Sequence, residues 1–89
     1  MNDIKDNEFV QMLCEFLDVP APSGREERMR ALVRAKLEKM NLPVMEDAAG
    51  NVWTRLEAAD PAAPTMMLAA HLDEIALTVT ALEDDGRLR

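Results

Sequence analysis

A chain of 89 residues is at most one small domain, large enough for a modest core and too short for a large cleft. Its 48% hydrophobic and 30% charged residues are ordinary for a soluble globular fold. A net charge of −7 argues against nucleic acid, whose phosphates need a basic surface, and against an anionic membrane. No apolar stretch approaches the roughly 20 residues of a membrane span. The mixed, acidic start (Asn2, Asp3, Lys5, Asp6, Glu8) is no signal peptide, so the expected compartment is cytoplasmic. The single cysteine, Cys14, is read as a buried free thiol, and the seven methionines as core packing and an initiator.

In chain order, residues 7 to about 18 read as a helix, with Phe9, Leu13, Phe16 and Leu17 on one face. Pro20-Ala21-Pro22 ends it. Ser23-Gly24-Arg25-Glu26 then has the spacing of a capping box, which makes Glu26 a structural residue. The second helix runs to about Met40 with Met29, Leu32, Val33, Leu37 and Met40 as its stripe, and Asn41 and Pro43 close it. Its Arg25, Arg28, Arg30, Arg34, Lys36 and Lys39 series, with Glu26, Glu27 and Glu38 interspersed, reads as a solvated face with i,i+4 pairs.

The period then changes from helical to extended. Residues 44–46 form a short strand, and 47–51 a turn in which Gly50 supplies positive φ and Asp47 and Asn51 fit turn chemistry. Residues 52–57 alternate as a hairpin partner, with Trp53 as a packing residue. After an Ala/Pro/Asp loop, the apolar run at 66–70 reads as a strand buried on both faces. Residues 74–82 alternate again, 83–86 form a hairpin turn, and 87–89 begin a further strand. A hairpin left half-built at residue 89 is the pattern of a piece rather than a whole domain.

The apolar run ends in the chain's one histidine, in Ala70-His71-Leu72-Asp73-Glu74. Alternate strand residues share a face, so His71 and Asp73 can converge. A neutral imidazole can bind a metal through one nitrogen while the other donates to a carboxylate. A catalytic zinc takes about three protein ligands, and the carboxylates elsewhere in this chain form no second cluster. The residues alone therefore leave two readings of His71. Either it is a hydrogen-bonded core histidine, or it is a ligand whose companions lie on other sequence.

Ser23-Gly24-x-Glu26, Asp47-x-x-Gly50-Asn51, Ala70-His71-x-Asp73-Glu74-Ile75 and Asp85-Gly86-x-Leu88, in this order, resemble the N-terminal quarter of the tetrahedral aminopeptidase family. These are the glutamyl and deblocking aminopeptidases. The resemblance covers nearly the whole chain, and its specific part is the histidine motif. It implies a cytosolic metallopeptidase that releases N-terminal residues from peptides with two divalent metal ions, which could be zinc, cobalt or manganese. His71 would then bind one metal, with Asp73 as its orienting carboxylate, counted among the catalytic residues. Glu74 belongs to the motif without a ligand role, and Ala76 stands where the family more often has glycine. The family's bridging Asp, general-base Glu and other ligands have no counterpart here.

The implied fold is α/β: two helices, then strands of a mixed sheet. Residues 1–73 would begin the catalytic domain, and 74–89 an inserted β-rich domain used for oligomer contacts. A homo-oligomer, a tetrahedral dodecamer in the family, would follow for a full-length subunit. Two other readings stay open: a related metal-dependent deacylase or dipeptidase, whose half-site would look alike, and a non-catalytic fragment that only mediates association.

Overall fold

The computed structural model describes residues 7–89, in the order helix, helix, β-hairpin, extended segment and terminal hairpin turn. Helix α1 spans Glu8–Leu17. Asn7 caps it: its side chain accepts the Phe9 N–H at 2.9 Å, satisfying one of the first-turn donors that no helical carbonyl can reach. Phe9, Leu13 and Leu17 remain exposed on its apolar face. Cys14 is exposed too, which corrects the buried thiol, because no described element covers that face.

Helix α2 spans Glu27–Lys39. Its end follows the sequence closely. Asn41 takes φ 59°, its N–H reaches Glu38 O at 2.9 Å, and Leu42 N–H reaches Leu37 O at 3.2 Å. These two bonds make a Schellman motif, with Asn in place of the usual Gly. The start departs from the expected capping box. Glu26 occupies the N-cap position without a side-chain cap, and its carboxylate accepts the Gly24 N–H at 2.8 Å instead. The Ser23 hydroxyl is committed elsewhere, to Asp73.

The hairpin pairs β1 (Met45–Glu46) antiparallel with β2 (Val52–Trp53), matching Met45 to Trp53 and Glu46 to Val52. Its turn is closed by Asp47, whose carboxylate accepts Asn51 N at 2.9 Å and Asn51 Nδ2 at 2.8 Å. These bonds, the side-chain one foremost, hold the Asp47 pKa below its ordinary value. The hairpin docks on α2 through charge. Arg30 Nε lies 3.2 Å from Glu46 Oε1, Arg34 Nη1 lies 3.1 Å from Glu46 Oε2, and Arg30 Nη1 donates to Gly50 O at 3.3 Å. The α2 face is thus only partly solvated as expected: the Arg34–Glu38 i,i+4 pair exists at 3.1 Å, but Arg30 and Arg34 turn to the hairpin. Lys36 joins the helices, 2.6 Å from Glu15 and 5.8 Å from the Phe16 ring centroid.

Residues 66–70 form no regular structure and pair with no strand, and Met67 is 86% exposed. The doubly buried strand expected there, with its core methionines, needs a strand on each side and a layer on each face. The described residues supply neither. Between residues 74 and 82 only the ends pair, Pro22 with Glu74 in parallel and Leu82 with Leu88 antiparallel. The expected turn at 83–86 is present, with Gly86 at φ 85° and its N–H on Glu83 O at 2.9 Å. Ala21 is the one fully buried hydrophobic residue among those described. The radius of gyration of 18.4 Å compares with about 12 Å for a compact chain of this length. No described helix is long and apolar enough to cross a membrane.

Three outcomes follow from these contacts. Gly50 sits at φ 88°, and a Cβ there would lie 2.1 Å from Arg30 Nη1. Gly50→Ala is expected to destabilise the α2–hairpin unit by about 1–2 kcal/mol from backbone conformation alone, read by urea denaturation. Asp47, with its pKa lowered on folding from 3.8, contributes stability above the unfolded value that is lost as pH falls through the folded one. A carboxyl carbon NMR titration should place its midpoint below 3.8, and Asn51→Ala should move it back up toward that value. Glu74→Ala leaves the buried Ala21 N–H without its acceptor and should cost about 1–3 kcal/mol in the same denaturation, with Glu74→Gln costing less.

Candidate metal centre

The centre is built from two strips of chain some fifty residues apart. The first is the α1–α2 loop. Pro20 and Pro22 restrict it to extended backbone, and residues 22–25 turn back with Arg25 N on Pro22 O at 2.8 Å and Gly24 at φ 82°. A positive φ at the third residue suits a type II turn, where glycine carries no steric cost. The Glu26 carboxylate braces the turn through the Gly24 N–H.

The second strip is the histidine motif, and Glu74 ties it to the first. Glu74 N–H donates to Ala21 O at 2.8 Å, and Ala21 N–H donates to Glu74 Oε1 at 3.1 Å. Both polar groups of the buried alanine are thereby satisfied by one residue. Glu74 is occupied as a tether, away from any ligand role. One step back along the chain, the Ser23 hydroxyl donates to Asp73 Oδ2.

His71 completes the arrangement. Its Nδ1 lies 2.8 Å from Asp73 Oδ1 and 2.9 Å from the Asp73 carbonyl oxygen. Both neighbours are acceptors, so Nδ1 must carry the proton, and in the neutral ring Nε2 keeps the lone pair. That nitrogen has no partner among the described residues, and the side chain is 83% exposed. The Ser23 hydroxyl, and after it His71, hold the Asp73 pKa below the ordinary carboxylate value. Asp73 is thus an ionised acceptor with one oxygen for each neighbour.

This donor set fits one position of a metal site, with an imidazole as ligand and a carboxylate behind it. Among the described residues no three His, Cys, Asp or Glu side chains gather in a set able to hold a metal ion. The structure brings His71 and Asp73 together and keeps Asp47 and Asn51 apart from them, in their own turn. Ser23 is the residue that sequence reasoning misread. Its Ser-x-x-Glu spacing suggested a helix cap, and only its recurrence beside the histidine motif in an ordered set hinted at more.

Residues 50–89 match the family model for M42 glutamyl aminopeptidase, a stretch that contains His71, Asp73 and the turn at 83–86. A lysyl aminopeptidase of Pyrococcus furiosus is 34% identical over 80 residues, which are 89% of this chain and 22% of the relative. A glutamyl aminopeptidase of Lactococcus lactis is 28% identical over 72 residues, 81% of this chain and 20% of the relative. A Pyrococcus abyssi hydrolase named for LysW-lysine and LysW-ornithine is 27% identical over 73 residues, 82% of this chain and 21% of the relative. No solved structure matches. The chain spans about a fifth of the length of these relatives. Peptidases of the matched family are generally metal-dependent. The chain is thus similar to the M42 glutamyl aminopeptidase family, over residues 50–89 by the family model and over most of its length to aminopeptidases of which it spans about a fifth.

Proposed function

We propose that this segment belongs to a metal-dependent aminopeptidase that removes N-terminal residues from peptides. The observation that carries the reading is the engagement of His71 Nδ1 by two acceptors, which leaves Nε2 as a lone-pair donor inside the family-matched stretch. In this reading His71 is a ligand to one of two divalent ions, zinc, cobalt or manganese. Asp73 holds the proton on Nδ1 and fixes the ring's orientation. Divalent ions held there would supply Lewis acidity toward a peptide carbonyl and a water molecule. The further ligands and the general base come from outside these 89 residues.

The same reading extends to the subunit. Residues 1–73 open the catalytic α/β domain, and residues 74–89 open a β-rich domain that mediates contacts in a cytoplasmic homo-oligomer, a tetrahedral dodecamer. A second reading has support in the Pyrococcus abyssi relative: a metal-dependent deacylase of related chemistry could use the same half-site.

In a protein that joins this segment to the rest of a family subunit, His71→Ala should lower bound metal and abolish hydrolysis of aminoacyl p-nitroanilides. Asp73→Asn should cost about 10–100-fold in affinity or activity by losing the acceptor that fixes the tautomer. Full metal content by elemental analysis with normal turnover in His71→Ala overturns the assignment. Turnover confined to N-acyl substrates favours the deacylase.

A further inference from the structure

We infer that Ser23 is a positioning residue of the metal centre, acting through Asp73 on His71. The inference rests on the metallopeptidase reading of His71. Asp73 has two carboxylate oxygens, and each has one partner: Oδ1 faces His71 Nδ1 at 2.8 Å, and Oδ2 takes the Ser23 hydroxyl. A carboxylate held at one oxygen can rotate about its terminal bond, and the ring hydrogen-bonded to it can swing with it. Held at both oxygens, it presents Oδ1 in one direction and so sets the direction of the imidazole and of Nε2. The His71 side chain is 83% exposed and has no packing to orient it, so its direction depends on hydrogen bonds.

The construction around Ser23 suits this task. Its backbone lies in the turn at 22–25, which requires positive φ at Gly24 and is braced by the Glu26 carboxylate on Gly24 N–H. On its other side the backbone is fixed by the Ala21–Glu74 pair of bonds and the parallel bridge of Pro22 to Glu74, from which the Ser23 hydroxyl reaches diagonally to Asp73. Ser23, Gly24 and Glu26 therefore serve one hydroxyl aimed at a residue fifty positions away. A hydroxyl needed only for a local cap would bond within its own turn or to the first helical amides. This one does neither, since α2 begins at Glu27 with no side-chain cap.

The test uses Ser23→Ala, Ser23→Gly and Ser23→Thr in a protein that joins this segment to the rest of a family subunit, with His71→Ala as reference. Removal of the hydroxyl is expected to weaken zinc binding about tenfold, the low end for groups behind a metal ligand, at unchanged thermal midpoint. It should also shift the His71 ring nitrogen-15 signals of the metal-free protein toward a mixture of tautomers. Ser23→Thr keeps the hydroxyl and should restore both readouts to within about twofold of the parent affinity. Wild-type affinity and ring signals in Ser23→Ala and Ser23→Gly, with metal lost in His71→Ala, overturn the role of Ser23 and leave the metallopeptidase reading standing. Equal weakening in Thr, Ala and Gly also overturns it, because the turn rather than the hydroxyl would then be at issue. Retained metal in His71→Ala removes the reading of His71 itself, and this inference with it.

Discussion

Two hydrogen bonds to the backbone of Ala21 decide where the chain's chemistry sits. The α1–α2 loop and the histidine motif are far apart in sequence, and closing a loop of some fifty residues costs a few kcal/mol of chain entropy. Glu74 offsets part of that cost by meeting both polar groups of a buried alanine, one with its amide and one with its carboxylate. An unmet buried N–H or C=O would cost about as much as a lost hydrogen bond, so the pairing favours this register over its neighbours. Shift the motif by one residue and Ser23 no longer meets Asp73, while the imidazole moves to the other side of the extended chain.

A second, separate unit is held by a different force. The hairpin rests on α2 through Glu46, which faces both Arg30 and Arg34, with Arg30 also reaching the turn carbonyl of Gly50. A carboxylate shared by two guanidinium groups is a small network, and such networks contribute more than isolated surface pairs. The turn needs the glycine twice, once for its backbone angle and once for the room that Arg30 occupies. Asp47 and Asn51, which the sequence motifs set beside the histidine in order along the chain, serve this unit and do not touch the centre.

What the residues disclosed in advance follows the range of the forces involved. Both helices, the Asn41 stop, the Gly50 turn and the Gly86 turn were legible because each depends on neighbours within a few positions. The His71–Asp73 contact was legible for the same reason, being two residues apart. Strand pairing at 66–70 and 74–82 was not, because apolar alternation reports a wish for partners without naming them. Arg30 and Arg34 have the spacing of any solvated helix face, and nothing local marks which arginine will turn toward a hairpin. Ser23 was hidden by a plausible local alternative. A Ser-x-x-Glu spacing fits a cap so well that a hydroxyl reaching fifty residues along the chain had no signature of its own.

The unpaired run before the histidine has a bearing on how these residues behave as a material. Residues 64–72 contain no Lys, Arg, Asp or Glu, and in extended form they offer two open edges and two apolar faces. That is the composition from which cross-strand stacking between copies begins, since high apolarity and missing charge remove the penalties for it. The run is nonetheless bounded. Pro64 deprives its first position of a donor, Asp73 and Glu74 place two negative charges at its far end, and the −7 charge of the chain repels other copies. The two carboxylates that locate the imidazole thus also act as gatekeepers, so that neutralising them exposes an aggregation-prone edge along with a loosened imidazole.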